Sequence, residues 1–116
     1  MATKFRTKEL QNLSTTMTAL SGVFTAGDVT VHAIYVSNTH STNTIGFNLS
    51  LHDNQDPSQE KAKILHQVEI APKSTLVIEK PINLTTSTST SDARQLKVSA
   101  TQGTDLDVVA SVLEIT

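Results

Sequence analysis

Apolar and polar residues alternate in short runs from Val29 to Ile115, and clusters of Ser, Thr, Asn and Gly separate the runs. A period of two sends successive side chains to opposite faces of an extended chain, so each run predicts a strand with one buried and one wet face. The clearest is Ile45 to His52: Ile45, Phe47, Leu49 and Leu51 point one way, Gly46, Asn48, Ser50 and His52 the other. From Ile64 to Ile70 the same rule turns Ile64, His66, Val68 and Ile70 inward and leaves Leu65, Gln67 and Glu69 outside. Leu76 to Glu79 and Leu96 to Ala100 read as shorter strands of this kind.

Two runs depart from one-sided burial. Val29 to Ser37 carries Val29, Val31, Ala33 and Tyr35 on one face but adds Ile34 and Val36 on the other. Val108 to Ile115 sets Val108, Ala110 and Val112 against Val109, Leu113 and Ile115. Apolar residues on both faces call for cover on both faces. A chain of 116 residues has little material for a third layer, so the second face is expected to meet a neighbouring subunit.

The connections carry turn chemistry. Asn38 to Asn43 reads as a hairpin loop, Asp53 to Ser58 holds a turn with capping Asp side chains, Ala71 to Ser74 is a tight Pro-containing turn, and Gln102 to Asp105 is expected to close a last hairpin. Thr85 to Ser91 is a Ser/Thr low-complexity segment, either a surface loop or an extended edge. Near the N-terminus, Leu10, Leu13, Met17 and Leu20 recur at helical spacing, but the Ser and Thr between them are poor helix formers. An extended arm over 1–20, preceding a sandwich domain over 21–116, is the expectation. Lys4, Arg6 and Lys8 then line one side of the arm, opposite Phe5 and Thr7.

Aromatics make up 3% of the chain, which leaves Val, Ile and Leu to build the core and reinforces the strand reading. A net charge of −2 supplies no basic field for nucleic acid. No apolar stretch approaches the roughly 20 residues of a membrane-spanning helix, and Met1 to Leu10 has no signal-peptide core; assembly in a host cytoplasm is expected. With no cysteine, disulfides and thiolate metal sites are excluded. His32, His40, His52 and His66 form no metal-binding pair, the four glycines are too dispersed for a phosphate loop, and no Gly-x-Ser-x-Gly elbow occurs. No catalytic, metal or cofactor residue is therefore assigned, and the chain is expected to bind or to build.

Three stretches together resemble small virion structural proteins of tailed bacteriophages. They are Val23 to Thr39 (Val-Phe-Thr-Ala-Gly-Asp-Val-Thr-Val-His-Ala-Ile-Tyr-Val-Ser-Asn-Thr), Ile70 to Ile78 with its Ala-Pro-Lys-Ser-Thr-Leu turn, and the ending Leu106 to Ile115 (Leu-Asp-Val-Val-Ala-Ser-Val-Leu-Glu-Ile). The resemblance covers most of the chain from Gly22 onward and brings no functional residue with it. It implies an all-β antiparallel sandwich, jelly-roll or immunoglobulin-like, built into a virion. The implied role is a head decoration or cement protein; a neck or tail component, or a tail-associated glycan-binding module, is the alternative. The implied partners are the major capsid protein or other virion proteins and further copies of the chain, without nucleic acid or membrane. Residues expected at such contacts are Lys4, Phe5, Arg6 and Lys8 on the arm, and Ile34, Val36, Val109 and Leu113 on the doubly apolar strands.

Overall fold

The alternation becomes nine strands in a computed structural model that describes residues 3–20, 27–85 and 93–115. They are β1 (Thr3–Leu13), β2 (Thr18–Ala19), β3 (Asp28–Asn38), β4 (Ile45–Asp53), β5 (Glu60–Ile70), β6 (Thr75–Ile78), β7 (Ile82–Thr85), β8 (Arg94–Ala100) and β9 (Leu106–Ile115). No helix occurs among the described residues. One sheet runs β1-β9-β3-β6, with β7 also on β3, and the other runs β2-β8-β4-β5. Every pairing is antiparallel.

The pairs nest in sequence. β4 pairs with β5, β3 with β6 and β7, β2 with β8, and β1 with β9. This is one long antiparallel ribbon rolled into two facing sheets, the jelly-roll form of the β-sandwich. β6 and β7 share one line along β3, at Ile34–Ser37 and Asp28–Val31. Pro81, which has no N–H for a ladder, lies in the break between them.

Rolling also changes what the turns do. Asn38–Asn43 and Gln102–Asp105 do not close hairpins, as expected from sequence; each carries the chain from one sheet to the other, as does Ala71–Ser74. Asn38, almost fully buried, ties these crossings together. Its Nδ2 donates to the carbonyls of Asn43 (2.8 Å) and Ile70 (2.9 Å), and its Oδ1 accepts from His40 N (2.9 Å). Thr39 donates to Asp105 O through both N and Oγ1, at 2.8 Å each. Asp53–Ser58 does join the paired strands β4 and β5, with Asp53 and Asp56 carboxylates accepting from Gln55 N and Ser58 N.

The core lies between the sheets. Val29, Val31, Ile34, Val36, Leu106, Val108, Ala110 and Val112 face Ile45, Phe47, Leu49, Leu96, Val98 and Ala100, with Leu13, Leu20, Ile70 and Leu84 closing the sides. Among the described residues, Phe47 has the largest fully buried side chain.

Two bulges reverse the alternation that sequence predicts. In β3 the register against β9 shifts between Val31 and Ala33. Val29 and Val31 face the core before the shift, Ile34 and Val36 after it. Ile34 and Val36 are thus core residues and unavailable to a partner: the two apolar faces of this run are one buried face that changes parity. In β5, Gln67 takes a left-handed φ of 53° and its N–H donates to Asn48 Oδ1 at 2.8 Å. Leu65 pairs with Leu49 and Val68 with Phe47, so Leu65 turns inward while Ile64 and His66 lie exposed. Gly46, Ser50 and His52, expected on a wet face, are buried because β4 is an inner strand flanked by β8 and β5.

The N-terminal segment is extended, with Leu13 and Leu20 in the core. It is not a free arm. β1 forms the edge of the larger sheet, in register with β9 from Thr3 opposite Ile115 to Leu10 opposite Val108, then from Leu13 opposite Leu106 after a shift. Thr85 ends β7, and residues 86–91 of the low-complexity segment lie outside the described residues.

Candidate interaction face

The outer side of the larger sheet is built by the same alternation that fills the core. Because Val108, Ala110 and Val112 face inward on β9, Val109, Ser111 and Leu113 face out. Antiparallel partners share a face. Val109 therefore stands between Glu9 on β1 and Tyr35 on β3, and Tyr35 in turn stands beside Val77 on β6. Two outward positions along, past Ser111, Leu113 lies between Phe5 and Thr30. The Phe5 ring approaches His32 at the bulge, with centroids 6.2 Å apart and planes tilted by 35°. His32 Nε2 is buried without a hydrogen-bond partner.

Five large hydrophobic residues are exposed among those described, and four belong to this face: Phe5 (81%), Val77 (43%), Tyr35 (41%) and Val109 (37%). The fifth, Ile64, lies on β5 of the other sheet. Single exposed apolar residues are ordinary, but a row of them spanning three neighbouring strands is the usual mark of a contact surface.

Phe5, Val109 and Leu113 thus sit on this face, while Ile34 and Val36 are sealed beneath it. Lys4, Arg6 and Lys8 occupy the opposite side of β1 from Phe5. Arg6 does not stand free: its Nε is 3.6 Å from Glu114 Oε1, and the Glu114 side chain is 8% exposed. Glu114 also lies directly across from Lys4. A carboxylate this buried needs its cation, so Arg6 has a structural duty at the sheet edge. Tyr35 and Val77 complete the face and were not singled out from sequence. The available signal for Val77 was its place between Leu76 and Ile78, three apolar residues in a row on a short strand.

The outer side of the smaller sheet is polar. A shallow groove there is lined by Met17, Asn48, Ser50, Glu60, Lys63, His66, Gln67 and Ser99. Its groups largely satisfy one another: Asn48 Nδ2 donates to Ser99 Oγ (3.1 Å), and Lys63 Nζ donates to Glu60 Oε2 (2.5 Å). Hydrogen bonds from the Lys63 ammonium and then the Ser50 hydroxyl hold the Glu60 carboxyl below its usual range. No group of three or more His, Asp or Glu that could hold a metal occurs among the described residues.

No protein-family model matches the chain, and no curated protein matches it. Among solved structures, the chain is similar to the T13 particle of infectious bursal disease virus, with a TM-score of 0.50 and 9% identity over 96% of this chain and 30% of that one. It also matches the VP2 subviral particle of the same virus, with a TM-score of 0.49 and 10% identity over 96% of this chain and 32% of that one. The chain spans about a third of the length of these proteins. At such identity the likeness concerns the fold.

Proposed function

We propose that this chain is a non-enzymatic structural protein of a virus particle, a decoration or cement subunit that stabilises a phage head by bridging neighbouring capsid subunits. The observation that carries this reading is the exposed apolar row Val109, Tyr35 and Val77, with Phe5 exposed on the same face of a jelly-roll sheet. The shared fold with a solved virus particle supports a place in a virion. Assignment to a phage, and to decoration in particular, rests on the sequence resemblance of Val23 to Thr39, Ile70 to Ile78 and Leu106 to Ile115. Jelly-roll sheets also occur in lectins, but sugar sites favour an aromatic platform, and the loop Asn38 to Asn43 has none.

Mechanically, such a subunit works by burying surface across a seam between capsid proteins. Each contact can be weak, because many copies on one connected lattice act together. Purified protein added to phage heads lacking it is expected to co-sediment with them, at hundreds of copies per head, and to raise their resistance to heat. A dozen copies or fewer would move the protein to the neck or tail, and absence of binding would remove it from the particle.

A further inference from the structure

The outer face of the larger sheet has one sign of charge. Among the described residues its strand positions include Glu9 on β1, Asp107 on β9 and Asp28 on β3, and no Lys or Arg. The remaining outward positions, such as Thr7, Ser111, Thr30, Ser37, Thr75 and Asn83, bring neither carboxylate nor ammonium, and His32 lies at the bulge. Glu79 follows Val77 by two residues, and Lys80, in the turn after it, is the nearest base in that segment. At the strand positions the apolar row is therefore framed in acid, with Lys73 and Lys80 in the turns at the two ends of β6.

We infer that this face docks a different protein, one presenting an apolar knob framed by lysine or arginine, rather than a second copy of this chain. The inference rests on the virion reading above and names the partner's chemistry. Charge selects the partner, and area sets the scale of the contact. A symmetric pair of copies joined face to face brings like surfaces together, which sets Glu9, Asp28 and Asp107 against the same residues of the other copy without a basic counterpart. Like-charge contacts of this kind disfavour a partner, whereas a basic frame is complementary. The area is modest. Four strands abreast at about 4.8 Å, about 30 Å long, give a face of roughly 600 Å². A standard stable complex buries roughly 800 Å² on each partner. The face thus lies at the lower end of what a stable pair buries on each side, an area that suits a contact repeated over a lattice.

The test uses the intact protein and heads lacking it. Three proteins are compared at matched circular dichroism and melting temperature: the wild type, Val77→Lys, and a charge-reversed variant carrying Glu9→Lys, Asp28→Lys and Asp107→Lys. Sedimentation velocity of each protein alone reports self-association. The wild type is expected to be monomeric alone and to bind heads, with affinity falling as salt rises; both variants are expected to lose at least tenfold in head affinity. If the wild type binds and both variants bind equally well, the face is not the docking site, although the virion reading stands. If the wild type forms a dimer that Val77→Lys disrupts, the occupant is a second copy and the inference is overturned. If the wild type binds no heads, the virion reading fails and the inference falls with it. Phe5→Ala, which removes an exposed ring at the sheet edge, gives an independent reading should the charge-reversed variant not fold.

Discussion

Replacing Ile34 with aspartate is expected to leave no folded protein, whereas the same replacement at Tyr35, one residue along β3, is expected to leave the fold in place. Ile34 is 1% exposed, at a strand position flanked by β9 and β6. Its replacement forfeits about 2 kcal/mol of apolar burial and places a carboxylate where no base can reach it, at a cost of several kcal/mol more. Set against a total of about 5–15 kcal/mol for a domain, that sum abolishes folding. Tyr35 points outward from the same strand. Aspartate there has only its poor strand propensity against it, about 1 kcal/mol. Far-ultraviolet circular dichroism with thermal melting decides the matter. A folded Ile34→Asp, or an unfolded Tyr35→Asp, would place the change of parity somewhere other than the bulge at His32.

Phe47→Ala is expected to destabilise the protein by about 3–5 kcal/mol and still leave some folded protein at room temperature. Phe47 is completely buried on β4, between Val68 of β5 and Ala100 of β8, and its side chain spans the layer between the sheets. Most other core positions hold Val, Leu, Ile or Ala. Strands locked on both sides can close only partly around the space the ring leaves, so the cavity cost adds to the lost transfer energy. For a chain of this size the melting temperature is expected to fall by about 10–20 °C. Urea unfolding should show a lower midpoint with an unchanged slope. A loss below about 1 kcal/mol would mean that the sheets collapse onto the gap and that the ring is not the keystone of the core.

The parts of this fold that can be read from sequence are those governed by local period. Ile45 to His52, Leu76 to Glu79, Leu96 to Ala100 and Val108 to Ile115 all fall in strands within a residue or two of their expected ends. What could not be read is what depends on pairing between distant strands. The bulges at His32 and Gln67 leave no glycine or proline signal, because they arise from register against β9 and β4. They turn a correct strand into a wrong face, as Leu65 and Ile64 illustrate. The crossings at Asn38 to Asn43 and Gln102 to Asp105 have the composition of hairpin loops, and only sheet order distinguishes the two. β7, at Ile82–Thr85, is short and follows Pro81, too brief for its period to register.

The candidate contact residues divide along the same line. Val109 and Leu113 were legible as a second apolar face because β9 keeps strict alternation through its length. Ile34 and Val36 were misplaced by the bulge. Lys4, Arg6 and Lys8 read as one side of an arm expected at a contact; the acid that Arg6 meets is Glu114 of the same chain. Tyr35 became visible as a surface residue only once the parity of β3 was known.

The central claim is that the outer face of the larger sheet is covered when the protein is in place on a particle. Hydroxyl-radical footprinting of the protein, free and bound to heads, tests it most directly, because Phe5 and Tyr35 report on that face and the exposed His66 reports on the opposite sheet. Phe5 and Tyr35 are expected to lose most of their reactivity on binding while His66 keeps its own. Unchanged reactivity at Phe5 and Tyr35, with loss at His66, would show that the protein docks through the polar sheet and would contradict the account.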